Sequence, residues 1–525
     1  MQRTRALDHL RSGETFDLLI IGGGATGLGT AVEAATRGWR VALVERGDFA
    51  QGTSSRSTKL VHGGVRYLKQ GNISLVREAL RERGHLLRNA PHLAHDMAFV
   101  IPSYSQWNRF FYGVGLKAYD WLAGSLSLGP SRMISREEVI RRLPTVETQG
   151  LVGGVIYHDG QFDDARMAIT LARTATNHGA IVANYCACVA LVKTNGRVAG
   201  ALVRDLESGE EFTVHAKCVV NATGVFVDDI RHMDTPEATR LVAASQGIHL
   251  VLPREFLPGD SALMVPKTAD GRVLFAVPWK NHVIVGTTDT PVDGIATEPR
   301  ALAEERDFVM DHARKYLAKD PAADDVLSVY AGLRPLVKHG DPSNTAALSR
   351  DHTIVLGESR LITVTGGKWT TYRKMAEDVA DRAAKVAGLP DVASRTTHLG
   401  LHGWVERPAA HPYSEYGAEA ESIARLASER AELASPVHER LSCTRAEVVW
   451  HARHEMARTV EDVLARRTRS LVLDAKASIE ASSAVAKLLA EELGRDESWE
   501  RAQVESYTKL ARRYVFTDPE SLEPR

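Results

Sequence analysis

Three observations predict an α/β fold carrying a second, antiparallel sheet and an all-helical C-terminal domain. Residues 17–45 run as apolar strand, glycine-rich turn, small-residue helix and second apolar strand. Residues 245–295 are rich in Val, Ile, Phe and turn glycines, the texture of antiparallel strands. Beyond about residue 391 the strand signals vanish and Ala, Glu, Arg and Leu take over at helical spacing.

The opening unit is Rossmann-type. An apolar strand (Leu18 to Ile21) leads into Gly22-x-Gly24-x-x-Gly27, and the strand from Val41 to Val44 ends on Glu45. Gly22 permits the tight turn, Gly24 lets backbone approach a pyrophosphate, and Gly27 lets helix and strand pack closely. Ala25 and Thr26 open the helix, whose N-terminus offers free N–H groups to phosphate. Glu45 stands where an acid accepts hydrogen bonds from ribose hydroxyls. A dinucleotide is the expected ligand.

Further along, residues 74–90 read as an amphipathic helix stopping before Pro91, and 162–180 as a helix with Asp163 and Asp164 in its first turn. Asn195-Gly196 marks a hairpin turn, and HAKCVVNATG an apolar strand ending at Asn221 to Gly224. Residues 367–371 open a helix that stops at Gly388, and four helical stretches follow, at 416–433, 444–467, 476–494 and 497–513.

The net charge of −1 gives no reason to expect nucleic acid as a partner. The four cysteines form no C-x-x-C pair, and neither a disulfide framework nor a metal site is expected. The first 17 residues lack the apolar core of a secretory signal, and no apolar run is long enough to span a bilayer.

After Glu45 a loop of hydroxyls and cations (Thr53, Ser54, Ser55, Ser57) suits a pyrophosphate lining. Two more glycine-rich stations follow, Asn221-Ala222-Thr223-Gly224 and Thr365-Gly366-Gly367-Lys368, the latter ahead of a helix. A third approach more than 300 residues downstream is more than a nicotinamide nucleotide needs and suits the longer FAD. The ordered segments 54–68 (SSRSTKLVHGGVRYL), 162–166, 221–224, 286–290, 330–336, 348–352 and 365–373 (TGGKWTTYR) resemble the FAD-dependent, quinone-linked glycerol-3-phosphate dehydrogenases. The resemblance covers residues 14–390, with a helical domain of the expected kind behind it. One departure is Val225-Phe226, where Pro-Trp is frequent in the family.

The resemblance implies a discontinuous FAD-binding domain (14–85, 160–240, 330–390), a substrate domain (86–159, 241–329) and a C-terminal helical domain (391–525). It implies non-covalent FAD held by Gly22, Gly24, Ala25, Thr26, Gly27, Glu45, Thr53, Ser54, Ser55, Ser57, Gly63, Gly64, Ala222, Thr223, Gly224, Gly366, Gly367, Lys368, Trp369 and Thr370. Glycerol 3-phosphate would be bound by Arg66, Tyr67, Thr288, Arg334 and Arg350, because the arginine fork matches phosphate oxygens. His62 and His249 are the candidate bases, and Lys368 would favour the reduced, anionic flavin.

The implied electron acceptor is a membrane quinone, the alternative being an oxidase that reduces oxygen to hydrogen peroxide. The expected location is cytoplasmic, peripheral on the inner face of the cytoplasmic membrane, and a homodimer is left open. Two segments are candidates for contact with anionic lipid: the aromatic stretch 105–123, and a basic face comprising Arg466, Arg467, Arg469, Lys509, Arg512 and Arg513.

Overall fold

The computed structural model describes residues 1–64, 72–268, 271–338, 352–408 and 412–522. Arg66, Tyr67 and Arg350 lie outside the described residues.

The first sheet has a parallel core in the order Ile362–Gly366, Glu211–Asn221, Thr15–Ile21, Val41–Val44, Ile181–Ala183. Phe16 to Ile21 are all buried, as a parallel strand covered on both faces requires. His352–Leu356 adds an antiparallel edge, and the hairpin Cys186–Thr194/Arg197–Asp205 hangs from Glu211–Asn221. Asn195 and Gly196 both take positive φ, as a two-residue turn of that hand demands. Helix Ala25–Thr36 sits tight against the first strand: a Cβ on Gly27 would fall 1.9 Å from the Gly22 carbonyl oxygen. Asp163 caps the helix Asp164–Asn177, and Gly388 ends Tyr372–Ala387 in the left-handed conformation.

The second sheet has ten strands. Its long pairs are Ala94–Ser103 with Gly153–Phe162, and Val242–Pro253 with Ser328–Val337, both antiparallel. Strand Ser328–Val337 therefore belongs to this sheet, while 352–366 belongs to the first; the stretch 330–390 is divided between them. Helix Gln106–Ala123 lies over the second sheet with Leu116, Tyr119 and Ala123 buried.

The C-terminal region holds the helices Ala420–Glu429, Arg445–His454, Ser470–Leu473, Ala475–Leu493 and Glu497–Arg512 around one core. The helix expected over 444–467 is broken: it stops at His454, Met456 takes positive φ, and a π-helical turn spans Asp462–Arg467. The break has an electrostatic cause, since the segment delivers Glu455, Asp462, Arg466 and Arg467, all buried, into charge pairs. The same geometry corrects the expected basic surface. Arg466, Arg467 and Arg469 are 3%, 0% and 1% exposed, so they offer nothing to a lipid headgroup.

Candidate functional site

A cavity of about 290 Å³ follows the ends of the parallel strands. The Ala25 N–H at the helix start donates to Ser54 Oγ at 2.9 Å, which draws the serine loop over the glycine turn. Glu45 lines the cavity, and its two carboxylate oxygens accept from the Gly23 and Gly47 N–H groups at 2.6 and 2.8 Å. Burial pushes the Glu45 carboxyl above its usual range, with those two amides opposing. The third station closes on the first loop through Trp369 Nε1, which donates to the Ser54 carbonyl at 2.9 Å.

The expected cofactor residues all line this cavity except Gly27, Ser55, Ser57, Gly63, Gly64 and Thr370. Gly27 packs helix on strand, as described. The Ser55 carbonyl accepts from Lys59 and Arg469, and Ser57 donates through both N–H and Oγ to Asp164. The Gly63 N–H points to Tyr119, and Gly64 lines a second cavity. Phe226, Cys186 and Cys188 also border the first cavity, as do Arg46 and Met375, which nothing in the sequence singled out. The Arg46 guanidinium lies 5.1 Å over the ring of Phe226, the residue at which the chain departs from its family pattern.

The second cavity, of about 200 Å³, joins cations to an apolar wall. Its polar side presents Thr58, His62, Asp159, Arg272, Asp289 and Arg334; its apolar side includes Phe99, Tyr157, Met264 and Phe275. Arg334 donates to the Thr288 carbonyl at 3.0 Å and to Thr287 Oγ1 at 3.3 Å, with Asp289 at 3.4 Å. Thr288 is fully buried; its hydroxyl donates to Glu305 and accepts from the Ile248 N–H. Arg272 was not anticipated: it shares the connection between the strands Ala262–Val265 and Leu274–Trp279 with Lys267, and nothing in the sequence singled it out.

The two histidines part company. His62 borders the cavity, while its backbone N–H donates to Thr370 Oγ1 at 3.1 Å. His249 sits behind the wall, stacked on Tyr330 at 4.8 Å, with Nε2 2.8 Å from Thr58 Oγ1. Burial, reinforced by the Lys59 and Arg334 charges, holds its pKa well below the usual imidazole range, so it is neutral. Lys368 lines the first cavity, two residues before Thr370. The His62–Thr370 hydrogen bond thus ties the wall of the second cavity to the residue that follows Trp369 of the first.

The donor set fits FAD: a helix N-terminus and hydroxyl loop for the pyrophosphate, an acid at the second strand, and a glycine-rich third station about one cavity length away. Fold and cavity define an FAD-dependent oxidoreductase, and the family model described as FAD dependent oxidoreductase matches residues 17–373. The model for the C-terminal domain of alpha-glycerophosphate oxidase matches residues 358–500. The solved glycerol-3-phosphate dehydrogenase from Bacillus halodurans, complexed with FAD, aligns with a TM-score of 0.80 at 27% identity over 99% of both chains. The mitochondrial glycerol-3-phosphate dehydrogenase of Homo sapiens is 40% identical over 98% of this chain and 75% of its own length. That of Arabidopsis thaliana is 38% identical over 98% of this chain and 88% of its own. The chain belongs to the FAD-dependent glycerol-3-phosphate dehydrogenase family.

Proposed function

We propose that this protein oxidises sn-glycerol 3-phosphate to dihydroxyacetone phosphate and passes the electrons to a membrane quinone. The observation that carries the reading is the hydrogen bond from His62, on the wall of the cation-lined cavity, to Thr370, the neighbour of Trp369 on the wall of the cavity that fits FAD. Bound FAD supplies the acceptor for the hydride that leaves C2. Arg334 and Arg272 hold the phosphate dianion, because guanidinium charge and fork geometry match its oxygens. His62, at the cavity wall, takes the C2 hydroxyl proton. His249, neutral and tied to Thr58, orients that hydroxyl-bearing neighbour and is not itself the base. Lys368, on the wall of the first cavity, would place positive charge near the flavin and favour its reduced, anionic form.

Contact with the inner face of the cytoplasmic membrane is assigned to helix Gln106–Ala123. Trp107 and Trp121 are 72% and 81% exposed, with Phe110, Phe111 and Val114 between them. An exposed aromatic face of this kind with Lys117 beside it suits an anionic bilayer interface. No helix among the described residues is long and apolar enough to cross a membrane. A quinone dissolved in the bilayer would then meet the enzyme at its own surface.

Anaerobic titration with glycerol 3-phosphate tests the reaction. The flavin absorbance should bleach at stoichiometric substrate, recover fast on a quinone analogue and recover slowly in air. Fast recovery in air with peroxide formation would replace the quinone by oxygen, and absence of bleaching would overturn the substrate.

A further inference from the structure

Helix Gln106–Ala123 has an inner face as informative as its outer one. Tyr119 is buried there, and a buried phenol must satisfy its hydroxyl. It does so between two groups: it accepts from the Gly63 N–H at 2.8 Å and donates to Asp159 Oδ2 at 2.9 Å. The other Asp159 oxygen accepts from Arg83 at 2.8 Å, which holds the carboxylate in place. Gly63 has no room to retreat, since a Cβ there would lie 2.4 Å from both Leu80 and the Tyr119 hydroxyl.

What this contact holds is the substrate cavity. His62, Gly64 and Asp159 all line it. The His62 backbone is gripped from the opposite side by Thr370 Oγ1, which accepts from its N–H and donates to its carbonyl at 3.3 Å. The turn at 62–64 is thus clasped by the cofactor side through Thr370 and by the surface helix through Tyr119. Leu116 and Ala123 seat the same helix in the cluster that contains Phe99 and Tyr157, both of the cavity wall. Close-packed interiors transmit small displacements instead of absorbing them.

We infer that Tyr119 is a positioning residue coupling this helix to the substrate cavity, so that seating the aromatic face on an anionic lipid surface changes the affinity for substrate. The lipid half rests on the membrane reading given above; the hold on Gly63 stands on its own geometry. Loss of the hydroxyl deprives a buried N–H of its nearer acceptor, while the ring keeps its edge contact with Tyr157 at 6.4 Å.

The test uses the full-length, FAD-loaded protein, a water-soluble dye as acceptor, and vesicles of mixed phosphatidylcholine and phosphatidylglycerol. Wild type should co-sediment with the vesicles, and its KM for glycerol 3-phosphate should differ by roughly threefold or more between free and bound protein, with kcat changed less. Tyr119→Phe should keep its flavin and co-sediment equally. Its KM in solution should be roughly threefold to tenfold above wild type, the worth of one buried hydrogen bond, and should no longer respond to vesicles. A wild-type KM that is the same free and bound overturns the coupling without need of any variant. Tyr119→Phe with wild-type KM and vesicle response overturns the positioning role. If wild type bleaches with substrate but does not co-sediment, the membrane reading falls and the coupling with it, while the reaction stands.

Discussion

Arg334 stands on strand Ser328–Val337 directly before Pro335, so backbone pairing fixes where its side chain begins and carbonyl acceptors fix where it ends. Its partners include the Thr288 and Gln246 carbonyls, Thr287 Oγ1 and the Asp289 carboxylate at 3.4 Å. These contacts orient the guanidinium at the wall of the second cavity, where the proposed substrate phosphate would meet it. Arg334→Ala should therefore raise the KM for glycerol 3-phosphate by ~10-fold or more, with flavin retained, because a charge-assisted pair to the substrate is lost. Arg334→Lys should fall between, since an ammonium brings charge without the fork. Steady-state kinetics with flavin absorbance as the control checks both, and an unchanged KM would remove Arg334 from the site. Lys59, two places before Val61, shows the opposite use of a cation. It takes positive φ, is fully buried between Asp164 and the Ser55 carbonyl, and is pushed down to about 7 by burial. Its two neighbours, Thr58 and Leu60, line the second cavity.

Helix Arg445–His454 begins with a capping box: Thr444 Oγ1 accepts from the Glu447 N–H, and Glu447 accepts from the Thr444 N–H at 2.7 Å. Glu447 also accepts from the Tyr416 hydroxyl at 3.0 Å, and burial pushes its carboxyl up from 4.5 to about 7. Below the ordinary glutamate range folded and unfolded chains both hold this proton; between 4.5 and about 7 the folded chain alone does. The contribution to stability is thus full in acid and is lost as pH rises through about 7, up to about 3 kcal/mol in all. Glu447→Gln keeps the cap but cannot ionise, so its melting temperature should fall less than wild type's from about pH 5 to about pH 8. Equal falls would show that Glu447 titrates normally. The start of this helix was legible as the start of the helical stretch at 444, and so were the strands and hairpin of the first sheet, where local chemistry and tertiary packing agree. Its end was not legible. The apolar period runs on past His454, whereas the chain leaves the helix there, with Glu455 paired to Arg166 at 2.6 Å and Met456 at positive φ. Tyr119 and Arg272 escaped for the same reason: each acts through partners far away in the chain, and a single residue's spacing carries no record of them.

At the scale of the molecule, the helical domain braces segments beside both cavities through three neighbouring arginines. Arg466 and Arg467 close on Asp48 at 2.5 and 2.6 Å, and Arg469 donates to the Ser55 carbonyl at 2.6 Å and to Asp164 at 3.2 Å. Asp48 opens the segment whose residues 50–54 line the first cavity, and Asp164 holds Ser57 and Lys59 beside the second. All six charged side chains are buried, so the network depends on their mutual pairing. Desolvating such ions is expensive, and their mutual attraction does little more than offset it. Removing one partner, by contrast, strands the rest and costs about 3–5 kcal/mol. The Asp48 carboxyl, held down at about 2 chiefly by Arg467 and Arg466 against the effect of burial, stays charged throughout the neutral range. Asp48→Asn keeps the shape and leaves two buried guanidiniums facing a neutral amide. It should lower the melting temperature and shed flavin during gel filtration, because the loop that lines the cavity has lost its anchor to the helical domain. Flavin retention and melting temperature at wild-type levels would show that the 50–54 segment is held by its contacts within the first sheet alone. A lowered melting temperature with full retention of flavin would confine the clamp to global stability and separate it from the cofactor site.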